Sequence, residues 1–240
     1  MKGTFIILLA LTTLIGCNRQ AMDIKQTPEQ SASIPTDLKG PYTYLALGDS
    51  YTIGESVELA NSFPYQLKNS MGSKGYSITT PKIIAVTGWT TGDLKSAIAQ
   101  ANLTQKYDVV TLLIGVNNQY RGYSQTDYHT EFVQLLNTAI SFANGDKLKV
   151  FVLSIPDYSV TPFAATSDKT KIASEIDQFN AINKDESTKA GVNYLDITGI
   201  SRQAAFDATL IAFDGLHPSA KMYGLWVGQL STQVATQFSK

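Results

Sequence analysis

Five short apolar runs alternate with amphipathic segments, and this alternation constrains the fold more than any other feature of the chain. The runs, rich in β-branched and aromatic side chains, cover residues 42–47, 82–86, 109–114, 150–155 and 193–197. Near-continuous apolarity, as in residues 109–114, is typical of strands buried on both faces of a parallel sheet. Apolar residues at helical spacing occupy residues 62–71, 93–101, 127–143, 172–190 and 222–238. The alternation predicts right-handed βαβ crossovers and a three-layer α/β/α domain with a central parallel sheet.

The composition supports one globular domain and argues against a nucleic-acid partner. The chain has 240 residues, of which 43% are hydrophobic, enough for a sizeable core. Its net charge is -1, from 19 Lys and Arg against 20 Asp and Glu. No basic run or basic helix face stands out, and binding to nucleic acid requires such a surface.

Residues 1–17 are typical of a bacterial secretory signal that ends in a lipid attachment site. Lys2 supplies a positive start, and residues 5–15 form an apolar run that is too short to span a bilayer. Residues 14–17, with the sequence LIGC, resemble a lipobox, in which cleavage precedes the cysteine and the cysteine then carries the lipid. Cys17 is the only cysteine, so it has no internal disulfide partner. The alternative is an ordinary secretory signal in which Cys17 is incidental.

The next segment, residues 18–40, is polar and shows little apolar periodicity. It contains Pro28 and Pro35 and is interpreted as a flexible tether that leads to a folded domain over residues 41–240. An arm packed on the domain is the alternative, although the segment offers few apolar residues to bury. We expect an exported protein of the bacterial cell envelope, anchored to a membrane surface through a lipid on Cys17.

Residues capable of chemistry follow the predicted strands. Ser50 follows the first strand, Gly88 the second and Asn117 the third. Asp214 and His217 come late in the chain, just before the last predicted helix. Because sites in open α/β sheets form at the carboxyl ends of the strands, we expect these residues to meet at one edge of the sheet.

Each of these residues, taken alone, also has a structural explanation. Gly88 and Asn117 are typical of turns that end strands. The Asp-x-x-His pattern of Asp214 and His217 fits a turn with a helix cap, or a carboxylate that orients an imidazole toward a serine. His129, the other histidine, lies on the polar side of a predicted helix and is interpreted as a surface residue. Only the combination of these residues indicates a catalytic site.

The combination resembles the SGNH hydrolase superfamily, also called the GDSL family of esterases and lipases. Its four blocks are present as Gly48-Asp49-Ser50, Gly88, Gly115-Val116-Asn117-Asn118 and Asp214-Gly215-Leu216-His217. The match spans residues 42–238 and implies a flavodoxin-like sheet. Asn118 departs from the family, which usually has aspartate there, and this puts the hydrogen bonding of its loop in question more than the chemistry.

The resemblance implies a serine esterase that acts through an acyl-enzyme. Ser50 is the expected nucleophile, His217 the general base and Asp214 the group that orients His217. The oxyanion hole is expected to comprise the backbone N–H groups of Ser50 and Gly88 and the side-chain amide of Asn117. The expected substrate is a small-molecule, carbohydrate or lipid ester, with its acyl and alcohol parts left open.

No metal or other cofactor is expected. The histidines, Cys17 and the carboxylates show no metal-ligand spacing, and no glycine-rich phosphate loop is present. Two other functions remain open at this point. One is an acyltransferase that passes the acyl group to a sugar hydroxyl, and the other is a non-catalytic envelope lipoprotein that uses the fold for binding.

Overall fold

The structure is a computed structural model, and it describes residues 37–240. The predicted signal over residues 1–17, the lipid attachment site at Cys17 and residues 18–36 of the predicted tether lie outside the described residues. The first strand begins at Lys39, two residues before the expected start of the domain. None of the helices in the described range has the length and apolarity needed to cross a bilayer.

Strands and helices alternate along the described chain. In order, they are β1 Lys39–Tyr42, β2 Tyr44–Gly48, α1 Ser50–Ile53, α2 Phe63–Ser73, β3 Tyr76–Ile78, β4 Lys82–Ala85, α3 Thr91–Ala101, β5 Val109–Leu113, α4 Val116–Tyr120, α5 Gln125–Phe142, β6 Val150–Leu153, α6 Lys169–Ala190, β7 Asn193–Leu195, α7 Thr198–Arg202 and α8 Ala220–Phe238. Short 3-10 helices lie in several of the connecting loops.

The central sheet has five parallel strands in the order β4-β2-β5-β6-β7. Counted along the chain these strands run 2-1-3-4-5, the flavodoxin-like order that the resemblance implied. All five predicted strands lie in this sheet, so the prediction of a parallel α/β/α domain is confirmed. Gly48, the last residue of β2, pairs with Ala85 on one side and Leu113 on the other. The residues that follow β2 therefore leave the middle of the sheet edge.

Burial explains why the sheet forms where it does. Every residue of β2, β5 and β6 is buried, as their near-continuous apolarity predicts for strands covered on both faces. Helix α2 packs against α8, and α5 packs against α3 and α6. On α8, the fully buried Trp226 packs against Phe63 of α2 with their ring centroids 6.4 Å apart. These two helix layers enclose the sheet.

A small second sheet was not predicted. β1 and β3 form a parallel pair outside the central sheet, and the predicted strand 42–47 is interrupted at Thr43. Asp108 explains the interruption, because its Oδ2 accepts hydrogen bonds from the backbone N and the hydroxyl of Thr43 at 3.0 and 2.9 Å. These bonds anchor the chain where it passes from β1 into β2.

Candidate active site

Ser50 is the first residue of α1 and lies just beyond the carboxyl end of β2. The turn between strand and helix is tight because Gly48 carries no side chain. A Cβ on Gly48 would collide with the side chain of Thr52 and the carbonyl oxygen of Leu113. This turn places Ser50 at the edge of the sheet. Ser50 is only 4% exposed, so it is largely shielded from solvent.

His217 and Asp214 face each other within one turn. His217 Nδ1 lies 2.6 Å from Asp214 Oδ2, and Asp214 Oδ1 accepts hydrogen bonds from the backbone N of Leu216 and of His217. The imidazole is nearly buried and packs edge-on against the ring of Tyr51, with 5.6 Å between ring centroids. The carboxylate therefore holds the imidazole through Nδ1 and leaves Nε2 as the nitrogen that can exchange a proton with another group.

The environment of Asp214 keeps its carboxyl group ionised. Partial burial acts to raise the pKa of Asp214, but hydrogen bonds from the His217 ring, from two backbone N–H groups and from Ser56 outweigh it and lower the pKa to about 2. Asp214 is therefore a carboxylate at neutral pH. An anion beside the ring stabilises an imidazolium that forms during catalysis.

One pocket of about 150 Å³ brings together Ser50, Gly88, Asn117 and His217. Asp214 contacts this pocket through His217. Within residues 37–240, no hydrogen bond joins Ser50 Oγ to His217; in hydrolases such a bond often closes only when substrate binds. The other residues of the pocket wall are Tyr51, Thr87, Val116, Tyr120, Tyr158, Phe163 and Leu216.

Three N–H groups at the pocket have unused donor capacity. Gly88 has φ +84°, a left-handed conformation that favours glycine, in the turn after β4. Neither the Gly88 N–H nor the Ser50 N–H donates a hydrogen bond to another group of the described chain. Asn117 Nδ2 donates one hydrogen to the carbonyl of Trp89 at 3.0 Å, which leaves its second hydrogen available. This donor set suits an oxyanion, since it adds no charge of its own.

Residues 46–225 match the GDSL-like Lipase/Acylhydrolase family. The chain belongs to this family. The matched range contains all four sequence blocks, from Gly48 to His217. The chain is therefore a carboxylic ester hydrolase, as the sequence predicted, and a non-catalytic binding role is set aside.

Solved structures share the fold of this hydrolase at low sequence identity. The lipase/acylhydrolase from Enterococcus faecalis is 18% identical with a TM-score of 0.62, over 82% of this chain and 96% of that one. The psychrotrophic esterase EstA from Pseudoalteromonas sp. is 16% identical with a TM-score of 0.58, over 83% and 100%. Axe2, an acetylxylan esterase from Geobacillus stearothermophilus, is 18% identical with a TM-score of 0.58, over 80% and 94%. A comparison with curated proteins gives no match.

Arg121 fixes the Gly88 turn of the hydrolase from outside the pocket. Its Nη2 donates a hydrogen bond to the carbonyl oxygen of Gly88 at 2.6 Å. Because this carbonyl is held, the orientation of the turn that carries the Gly88 N–H is held as well. No motif around Arg121 reveals this contact, which depends on how the loop after α4 folds back toward the turn after β4.

Asn118, the departure from the family pattern, links two loops of the site. Its Nδ2 donates to Thr91 Oγ1 at 2.7 Å, and its Oδ1 accepts from the backbone N of Thr91 at 3.0 Å. Thr91 Oγ1 in turn donates its own proton to Glu131. Because the single hydroxyl hydrogen of Thr91 is used in the bond to Glu131, Thr91 Oγ1 can only accept at position 118, and an asparagine amide donates there whereas an ionised aspartate could not.

The remaining histidine of the hydrolase lies away from the pocket. His129 Nε2 lies 3.0 Å from Glu186 on the exposed surface between α5 and α6, so its interpretation as a surface residue is confirmed. Within the described range, no three or more His, Cys, Asp or Glu side chains cluster in a way that could hold a metal ion.

Asp49 is a buried acid directly before Ser50. Its Oδ1 accepts a hydrogen bond from the backbone N of Tyr51 at 3.1 Å, which caps α1. Its Oδ2 is buried and has no hydrogen-bond partner in the described structure. Burial raises the pKa of Asp49 to about 7, against the smaller opposing effect of its backbone hydrogen bonds. The carboxyl group therefore keeps its proton under mildly acidic conditions.

We expect the Asp49→Asn variant to remove a pH dependence of stability. Between pH 4 and 7 the unfolded chain has lost the Asp49 proton while the folded chain retains it, so the stability of the unmodified protein falls as pH rises. The free energy of unfolding of Asp49→Asn, minus that of the unmodified protein, should therefore increase by at least about 1 kcal/mol between pH 5 and pH 7.5.

Urea unfolding at the two pH values measures this difference. The matched control is Asp168→Asn, the same substitution at the exposed N-cap of α6. A stability difference between Asp49→Asn and the unmodified protein that is the same at both pH values would contradict the assignment of a buried, protonated Asp49.

Proposed function

We propose that this hydrolase cleaves short-chain carboxylic esters through an acyl-enzyme on Ser50. The observation that carries the proposal is the convergence of four sequence-distant groups on one pocket. Ser50, Gly88, Asn117 and His217 line it, and Asp214 contacts His217 at 2.6 Å. A hydroxyl, an oriented imidazole and a set of neutral N–H donors are the groups that acyl transfer to serine requires.

In the proposed mechanism, Ser50 Oγ attacks the ester carbonyl carbon while His217 Nε2 takes the hydroxyl proton. The negative oxygen of the tetrahedral intermediate accepts hydrogen bonds from the N–H groups of Ser50 and Gly88 and from the amide of Asn117. His217 then returns its proton to the leaving alcohol, and the bond between carbonyl carbon and alcohol oxygen breaks. A water molecule, activated by His217, hydrolyses the acyl-enzyme by the same steps and releases the acid.

The size and lining of the pocket favour a short acyl group. The pocket encloses about 150 Å³, which is less than the roughly 300–1,000 Å³ of sites that enclose a whole drug-sized ligand. Its wall includes apolar surface from Val116 and Leu216 and the rings of Tyr120, Tyr158 and Phe163. Tyr120 is 60% exposed and Phe163 is 47% exposed. We propose that the acyl group occupies the enclosed part and that the alcohol part lies against these two exposed rings.

A series of p-nitrophenyl esters tests the proposal. We expect kcat/KM for the acetate and butyrate esters to exceed that for the decanoate ester by about tenfold or more, because a decanoyl chain does not fit the pocket and can enter only by shifting the ester away from its best position at Ser50, which weakens binding of the transition state. Ser50→Ala is the background measurement for every ester. A kcat/KM that rises steadily up to decanoate would contradict the short-acyl assignment while leaving ester hydrolysis in place.

We also propose that the hydrolase is exported and anchored in the bacterial cell envelope through a lipid on Cys17. The support is the apolar run over residues 5–15, followed by the lipobox-like ending at Cys17. Mass spectrometry of the mature N-terminus tests this directly. We expect Cys17 to be the first residue and to carry acyl chains, and an unmodified cysteine there would contradict the anchor.

A further inference from the structure

We propose that Ser56 is a positioning residue for ester hydrolysis, whose hydroxyl holds the Asp214 carboxylate in the orientation that His217 requires. This inference rests on the proposed function, where Asp214 and His217 are given their roles. Ser56 lies in the loop after α1 and is 158 positions from Asp214 in the sequence. No block of the family pattern includes it.

The contacts of Asp214 show what Ser56 adds. Ser56 Oγ donates a hydrogen bond to Asp214 Oδ2 at 2.7 Å, and the same oxygen lies 2.6 Å from His217 Nδ1. The other oxygen accepts from the backbone N of Leu216 and of His217. Ser56 is therefore the one donor to this carboxylate, among the residues described, that comes from outside the turn of residues 214–217. This hydrogen bond links the Asp214 carboxylate, and through it the His217 imidazole, to the segment that follows Ser50.

The backbone of Ser56 supports a functional reason for the contact. Ser56 has φ +65°, in the left-handed region that glycine and asparagine adopt more readily than serine. Strained residues of this kind are retained where the surrounding structure uses them, and they concentrate at functional sites. The hydrogen bond to Asp214 is the interaction that this strained conformation makes with the site.

The neighbouring residue extends the same link to the other side of the pocket. Glu55 accepts a hydrogen bond from the hydroxyl of Thr87, which lines the pocket directly before Gly88. Residues 55 and 56 together therefore contact the Gly88 turn on one side and the Asp214 turn on the other. A segment placed in this way sets the distance between the oxyanion donors and the general base.

Kinetics of three variants on p-nitrophenyl acetate test the inference. We expect Ser56→Ala to lower kcat about five- to tenfold with KM unchanged, the scale of one hydrogen bond to a partly exposed carboxylate. Ser56→Gly removes the same hydroxyl but relieves the backbone strain, so we expect an unchanged or higher Tm and the same loss of kcat. Ser62→Ala, in the same loop, removes a hydroxyl that donates to the carbonyl of Leu59 and should leave kcat unchanged.

A merely structural role for Ser56 predicts a different result. In that case Ser56→Gly, with its strain relieved, keeps the kcat of the unmodified protein, and this outcome overturns the inference. A double-mutant cycle gives the second criterion. If Ser56 acts through Asp214, adding Ser56→Ala to Asp214→Ala changes kcat by less than about twofold, whereas multiplicative effects overturn the inference.

The same assays separate this inference from the proposed function. Loss of activity in Ser50→Ala and Asp214→Ala, together with full activity in Ser56→Ala, overturns the role of Ser56 alone. Full activity in Ser50→Ala overturns the proposed function and the inference with it.

Discussion

Replacing Ser50 with alanine lowers kcat for p-nitrophenyl acetate by about 10⁴- to 10⁶-fold if Ser50 is the nucleophile. The Cβ of alanine has no lone pair with which to form an acyl-enzyme, so the reaction must proceed by direct attack of water. The proposed oxyanion donors, which are the backbone N–H groups of residues 50 and 88 and the amide of Asn117, remain in this variant, and we expect them to account for the residual rate. Steady-state hydrolysis at saturating ester concentration measures the loss.

The chain offers a matched control for this substitution. Ser187 on α6 is fully buried, and its hydroxyl has no hydrogen-bond partner in the described structure. Ser187→Ala therefore makes the same chemical change at a buried serine away from the pocket, and its kcat should stay within about twofold. A Ser50→Ala variant that retains more than a few per cent of the activity, with an unchanged far-ultraviolet circular dichroism spectrum, would remove Ser50 from the nucleophile role.

The second large effect is expected at Asn117. We expect Asn117→Ala to lower kcat by about 10²- to 10³-fold with little change in KM, because the amide hydrogen bond to the oxyanion strengthens only as negative charge develops. Asn117→Asp keeps the shape of the side chain but replaces the donor with an anion. Its loss should be at least as large, since a carboxylate repels the oxyanion instead of donating to it.

Asn137→Ala on the exposed face of α5 is the control for both Asn117 variants and should leave kcat unchanged. The size of the loss at Asn117 itself separates catalysis from a structural effect, because Asn117 Nδ2 also donates to the carbonyl of Trp89 beside Gly88. A decrease in kcat of only a few fold in Asn117→Ala would assign Asn117 to this structural contact and exclude it from the oxyanion hole.

The elements that the sequence predicts well are those with strong local patterns. β5 and β6 are continuous apolar runs, and α5 carries apolar residues at helical spacing, so burial on two faces or on one stripe is visible in the residues themselves. The strands β1 and β3 cannot be predicted from apolar patterns, since strands of four and three residues are too short to show a period. The break at Thr43 depends on Asp108, which is remote in the chain.

The same contrast holds within the candidate site. Five residues of the site are visible in the sequence because each belongs to a short block of the family pattern; they are Ser50, Gly88, Asn117, Asp214 and His217. Arg121 and Ser56 are not, because the first acts through the carbonyl of Gly88 and the second through a residue 158 positions away. Contacts of this kind arise only when loops from different strands meet, so they are read from the structure and not from local sequence.

Covalent labelling is the most direct test of whether Ser50 is the nucleophile. The protein is incubated with a fluorophosphonate, which phosphonylates an activated serine, and the modified residue is located by peptide mass spectrometry. We expect one label per molecule, on Ser50. Ser50→Ala should not be labelled, and His217→Ala should be labelled on Ser50 at a much slower rate. An active enzyme that is labelled at a different residue, or that keeps full ester hydrolysis without any label on Ser50, would contradict the assignment of Ser50 as the nucleophile.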